Sequence, residues 1–215
     1  MLVTKIQEYS KKRYQIWLDG EVAFVLYKGD LRHYGIREGE ELDEAVFELI
    51  QKEVLSKRAE KRALHLLEKR DYTAAGLQRK LTGGGYSEEI AKAVVDVMKS
   101  YRYIDDTRYA DQYIRCYTGR KTRRSICAKL VEKGIAKDVI ADAYERFDEE
   151  GNEANEENMA VELLKKRHYE GGPIEKKEMD RHIAFLLRRG FSISCIRKAM
   201  AELRSGYEEY HEDIF

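Results

Sequence analysis

The residues in this chain best equipped for chemistry are its clustered cations, and the chemistry they suit is the binding of polyanions. Gly119-Arg120-Lys121-Thr122-Arg123-Arg124 places four positive charges in a turn at the start of a helix. The helix dipole does not explain them, because it favours cations at the opposite end. Arg grips a phosphate or a carboxylate with two parallel hydrogen bonds. A second group, Lys57, Arg58, Lys61 and Arg62, has helical spacing that puts Arg58, Lys61 and Arg62 on one face, opposite Ala59, Ala63 and Leu67. Arg188 and Arg189 form a third, in the last turn of a helix, where positive charge is favourable in itself. Tyr117 lies beside Gly119 and Arg120 and ends a stripe with Tyr109 and Tyr113. Aromatics among cations can stack on unpaired bases. A stripe at four-residue intervals is otherwise helix core, and Tyr117 is the exception expected to face outward.

Nothing points to catalysis, a metal or a cofactor. Asp105-Asp106 lacks further ligands at useful spacing and is explained as a helix N-cap. Thr82-Gly83-Gly84-Gly85 lacks the Gly-Lys-Ser/Thr ending of a phosphate loop and reads as a helix stop. His33, His65, His168, His182 and His211 form no triad with a nucleophile. Cys116, Cys127 and Cys195 are odd in number and far apart, with Cys127 and Cys195 at apolar helix positions that suit small core residues. The expectation is a non-enzymatic protein.

The elements that must position these residues follow from composition and period. With 215 residues, 43% apolar and 37% charged, the chain suits one or two helix-rich domains with a heavily solvated surface. No run approaches the ~20 apolar residues of a membrane span, and the first residues lack a secretory signal, so a cytoplasmic protein is expected. Zero net charge hides an asymmetry. Residues 1–56 hold 8 Lys/Arg against 11 Asp/Glu, residues 57–147 hold 21 against 13, and residues 148–215 hold 11 against 16. The basic middle is the natural contact for a polyanion.

Arg13–Leu18 and Glu21–Tyr27 flank Asp19-Gly20, a strong hairpin signal. A two-residue loop would pair Leu18 with Glu21, Ile16 with Ala23 and Tyr14 with Val25. Isolated hairpins are marginal, so this one must pack on a helix or gain another strand, for which Leu2–Tyr9 is available. Asp43 can cap a helix that runs on, or breaks only weakly, before Ala59. From there a pattern recurs three times: an apolar helix, then Leu81, Leu130 or Leu186 four residues before Gly85, Gly134 or Gly190. An apolar residue follows each Gly, and others lie five, nine and thirteen residues beyond it. Leu77, Ile126 and Ile183 are assigned to equivalent core positions of the middle helices. The expected fold is therefore mainly α. Three tandem three-helix repeats, residues 58–104, 105–148 and 149–205, form an elongated, curved stack. Before them come a β-hairpin extension at 1–41 and a connecting helix at 42–57, and after them an acidic tail at 206–215. Gly171-Gly172-Pro173 marks a turn in a long insertion of the third repeat, and the acidic stretch 148–157 marks a hinge.

The run Tyr103-Ile104-Asp105-Asp106 with Tyr109-Ala110, followed by Arg123-Arg124-Ser125-Ile126, Lys129-Leu130 and Lys133-Gly134-Ile135, resembles the most characteristic segment of the RecX family. The threefold repeat is similar to that family's architecture over about residues 57–205, and the N-terminus to an extension found in some members. The resemblance implies a regulator of the RecA recombinase that binds along the groove of the RecA–DNA filament. There it would block filament extension and damp ATP hydrolysis, strand exchange and co-protease activity in recombination and the SOS response. The expected partners are the RecA filament and single- or double-stranded DNA, met directly or through the filament by a monomer. The alternative is a stand-alone helical nucleic-acid-binding module acting without RecA.

Overall fold

The computed structural model describes residues 1–152 and 155–212. The chain divides into two compact units, the first ending at Asp106 and the second beginning at Thr107. The first unit opens with an antiparallel sheet of β1 (Val3–Ser10), β2 (Arg13–Leu18) and β3 (Glu21–Tyr27), in that order. Asp19 and Gly20 both adopt positive φ, 51° and 90°, as the expected tight turn requires. Leu18 pairs with Glu21, but the expected pairs beyond it are corrected: Ile16 faces Phe24 rather than Ala23, and Tyr14 faces Leu26 rather than Val25. A bulge after the Trp17–Val22 pair absorbs one residue. The physical reason is burial. Regular pairing would put Ala23 and Val25 on the face shared by Ile16 and Leu18, whereas the extra residue turns Phe24 and Leu26 there, where both are buried. β1, paired with β2, supplies the further strand that the hairpin needed.

Asp43 caps α2 (Glu44–Leu49), its carboxylate accepting from the Ala45 N–H at 2.7 Å. The helix then widens into a π-helical stretch, Ile50–Ser56, and continues as α3 (Lys57–Leu67). Ile50 and Lys57 keep right-handed helical angles at the joins, so the break is a change of pitch and not of direction. Ile50, Leu55, Ala59 and Ala63 run down its inner side and share a core with the sheet. A short helix, α1 (Lys28–His33), links the sheet to this part of the chain.

The first bundle combines α3 with α4 (Ala74–Thr82) and α5 (Glu88–Ser100). The second unit takes up α6 (Asp106–Tyr117) from its second residue, and α7 (Arg123–Glu132), α8 (Lys137–Glu149), α9 (Glu156–Lys165), α10 (Lys176–Arg188) and α11 (Ile193–Glu212) follow. All three middle helices end alike. Gly85, Gly134 and Gly190 have φ of 94°, 90° and 92°. The residue after each donates its N–H to the repeat leucine's carbonyl: Tyr86 to Leu81 at 3.3 Å, Ile135 to Leu130 at 3.1 Å, and Phe191 to Leu186 at 3.2 Å. This six-residue closure satisfies carbonyls that the helix end would orphan, and it folds the next apolar residue back onto the leucine. The same closure ends α5 and α9, but with Arg102 (φ 58°) and His168 (φ 61°) at the left-handed position.

Three further expectations change. The residue eight before each glycine is Leu77, Ile126 and His182, all buried, so His182 and not Ile183 fills the third equivalent position. An imidazole of 4% exposure thus replaces an aliphatic side chain, with its Nδ1 lacking a hydrogen-bond partner and its ring 5.4 Å from that of Tyr169. Leu67 is only partly buried, and Leu66 takes the deeper place. The residues assigned to a tail continue α11 as far as Glu212, and 213–215 lie outside the described residues.

Two consequences are measurable by urea unfolding. A left-handed angle costs an L-residue roughly 1–2 kcal/mol, so Gly134→Ala lowers stability by about that much, while His168→Gly raises it by up to about 1 kcal/mol. Burial holds the His182 pKa below the ordinary histidine value, Arg167 pushing the same way and Glu178 opposing. The unfolded chain therefore takes up the proton first. Stability is complete above about pH 6.5 and is lost as pH falls through the folded pKa. His182→Leu is expected to remove most of the difference in urea midpoint between about pH 7.5 and about pH 5.5, and an unchanged difference would assign it to other groups.

Candidate polyanion-binding surfaces

The basic turn lies between α6 and α7. Gly119 at φ 78° carries the chain out of α6, and Thr122 starts α7 by accepting from the Ser125 N–H at 3.2 Å. The Thr122 hydroxyl also donates to the Arg189 carbonyl at 3.1 Å, which brings the turn against the end of α10. Within the second unit the two groups at 120–124 and 188–189 therefore adjoin. Their side chains differ in what they do. Arg123 bonds Asp148 at 2.9 Å, its guanidinium lies 4.0 Å from the Tyr144 ring centroid, and its backbone N–H donates to Glu156 at 2.7 Å. Arg189 stacks on Phe185 at 3.9 Å. Lys121 sits over Tyr117 at 4.2 Å, whereas Arg120, Arg124 and Arg188 are exposed.

Tyr117 does not stand apart from its stripe. Tyr109, Tyr113 and Tyr117 are all half-buried against the core of the second bundle. Tyr109 stacks on Tyr113 at 6.2 Å, Tyr113 packs on Tyr117 at 4.3 Å, and Lys133 lies over the first two. Asp106 begins α6, and its carboxylate accepts from the Ala74 N–H at 2.9 Å, so it serves the start of α4.

In the first unit, Arg58 is tied to Asp30 by two bonds of 2.6 and 2.9 Å, half-buried and 5.1 Å from the Tyr27 ring centroid. This pairing holds the Asp30 carboxyl below the usual range despite burial, which raises it. Lys61 and Arg62 are exposed on the same helix. Arg62 also lines a cleft of 470 Å³ between the sheet and the first bundle, with Arg13, Arg58, Arg79, Lys80 and Tyr86. Burial pushes the Tyr86 hydroxyl pKa up, and Arg13, Arg58 and Arg62 all lie near enough to pull against that shift. Arg13, Arg79 and Lys80 form no cluster in sequence. The only signal was the glycine run after them, and it reads equally well as a helix stop.

Among the described residues no group of three or more His, Cys, Asp or Glu is placed to hold a metal ion, and no helix is long and apolar enough to cross a membrane. Cys195 is buried, Cys127 only partly so, and Cys116 exposed.

The fold and these surfaces define a tandem three-helix repeat protein with cations displayed at turns and helix ends. Its three repeats match the family descriptions "RecX, first three-helix domain" at residues 59–96, "RecX, second three-helix domain" at 105–143 and "RecX, third three-helix domain" at 155–200. The chain belongs to the RecX family. It is 29% identical to the regulatory protein RecX of Caldanaerobacter subterraneus subsp. tengcongensis, over 93% of this chain and 98% of that one. With RecX of Clostridium perfringens strain 13 the identity is 26%, over 97% of each. A crystal structure of regulatory protein RecX superposes with a TM-score of 0.57 and 28% identity, covering 91% of this chain and 97% of that one. RecX from Lactobacillus salivarius, 21% identical, shares the fold with a TM-score of 0.54 over 69% of this chain and 96% of its own.

The turn's side chains should separate in a stability measurement. Arg123→Ala loses an exposed ion pair and a cation–π contact, together about 1 kcal/mol, whereas Arg124→Ala stays within about 0.5 kcal/mol of the parent. Equal losses in urea midpoint would show that the Arg123 contacts contribute nothing.

Proposed function

We propose that this chain is a non-enzymatic regulator of RecA that binds the RecA–DNA filament and inhibits its activities in recombination and SOS repair. The observation that carries this reading is membership of the RecX family over all three repeats. Residues 58–104, 105–148 and 149–205 act as three contact units on one monomeric, cytoplasmic chain that needs no cofactor. Several weak contacts held together add by effective concentration.

Within the proposed contact set, Arg120, Lys121, Arg124 and Arg188 reach phosphates or acidic RecA side chains, with Lys61 and Arg62 as a second group. Arg58, Arg123 and Arg189 act chiefly by holding those surfaces in shape, because their guanidinium groups already have partners. Tyr117 supports Lys121 from beneath. The relatives' shared description as regulatory proteins and the exposure of the turn support this assignment.

The test follows ATP hydrolysis by RecA on single-stranded DNA as the protein is titrated in. The parent chain is expected to suppress turnover near stoichiometric ratios. Replacing Arg120, Lys121 and Arg124 by Ala should raise the half-inhibitory concentration about tenfold, since a charge-assisted hydrogen bond contributes about 1.5–3 kcal/mol, with helical content unchanged. No effect of the parent on turnover, together with no filament binding, would remove the proposal. Undiminished inhibition by the triple variant would place the contact on another surface.

A further inference from the structure

In the first unit a group of cations lies not on one helix face but inside the cleft between the sheet and the first bundle. Arg13, Arg58, Arg62, Arg79 and Lys80 line it, and among the described residues no Asp or Glu does. Part of this charge has a local explanation. Arg58 is neutralised by Asp30, and Arg13 donates to the Gly84 carbonyl at the end of α4. Arg79 and Lys80 sit in the last turn of α4, whose dipole supplies about half a negative charge. Arg79 aside, one carboxylate and about half a charge do not balance the other four cations, Arg13, Arg58, Arg62 and Lys80. The cleft at the basic turn differs. It holds Lys121, Arg123 and Arg124, but Asp148 and Glu156 line it as well.

The cleft is built rather than incidental. Gly85 is what lets strand β3 close over the end of α4: a Cβ there would lie 2.8 Å from Val25 Cγ2 and 3.1 Å from an Arg13 nitrogen. Tyr9 donates its hydroxyl to the Gly83 carbonyl at 3.2 Å, a second tie between sheet and helix end. The cations thus come from three separate elements, β2, α3 and α4, onto one concavity. Concave, low-dielectric walls concentrate such a field. A volume of 470 Å³ admits a phosphate with its attached sugar and base. The half-buried ring of Tyr86 and the exposed ring of Tyr27 lie at its wall.

We infer that this cleft is a binding site for a phosphate group, with Arg62 and Lys80 as its principal charged contacts and Arg13 and Arg79 completing the cradle. A tetrahedral phosphate offers acceptor oxygens in several directions, which suits donors converging from three elements better than a planar carboxylate does. The phosphate can belong to a free nucleotide or to a nucleic-acid backbone. The site does not rest on the RecA reading, and its test contains no RecA.

The test uses the full chain and isothermal titration with pyrophosphate, ATP and a short oligothymidylate at low salt. At least one phosphate compound is expected to bind with affinity weakened about tenfold or more in the Arg62→Ala/Lys80→Ala double variant. Lys92→Ala/Lys99→Ala, which removes the same charge from exposed positions of α5 outside the cleft, should bind like the parent. Binding of pyrophosphate or ATP identifies a free-phosphate source, and binding of the oligonucleotide alone identifies a polymer backbone. Either sustains the site. No binding of any of the three at millimolar concentration would overturn it. So would equal weakening in both double variants, or tighter binding of an oligoglutamate peptide than of every phosphate compound. Matching circular dichroism spectra of parent and variants exclude misfolding as the cause.

Discussion

The constraint on which this structure depends is the way its middle helices end. A leucine carbonyl would be left without a partner at the close of α4, α7 and α10. In each case the chain passes through a left-handed glycine, and the following N–H returns to that carbonyl. The turn does two things at once. It settles a backbone group in the interior, and it puts Tyr86, Ile135 or Phe191 back against the core while aiming the next helix. Without that reversal the third helix of each bundle would have no fixed place to pack. The spacing of apolar residues after the glycine is the sequence record of this geometry.

The same device shows where the repeats have been adapted. At Gly85 the absent side chain makes room for Val25, so the first bundle can take the sheet onto the end of its middle helix. At Gly190 it makes room for Thr122, which caps α7 and bonds Arg189 with one hydroxyl. Identical caps thus support different neighbours. The cation-lined cleft is a consequence of the first, and the placing of the basic turn beside α10 is a consequence of the second.

The division of labour among the cations follows from their partners and not from their numbers. Arg58 and Arg123 each have a carboxylate and an aromatic ring within reach, which fixes their side chains as parts of the fold. Arg120, Arg124 and Lys61 are instead exposed to solvent. The first kind holds a surface still, and the second kind leaves charge displayed on it.

The sequence by itself determined the helical class, the three repeats, the glycine stops, the Asp43 cap and the Asp19-Gly20 turn. All of these are local or periodic, so a few residues of chain carry the whole signal. It also carried the family resemblance, because the residues that form caps and cores recur at constant spacing. What only the tertiary structure decided is non-local. Ile16 faces Phe24 because burial favours the bulge that turns the larger side chains inward, a choice made by the helix beneath the sheet. His182 fills the place held elsewhere by Leu77 and Ile126 because the closure of Phe191 onto Leu186 fixes which face of α10 turns inward. Arg13, Arg62, Arg79 and Lys80 share one cleft only because β2, α3 and α4 converge there. Charges separated by tens of residues in sequence add their fields only when folding brings them together.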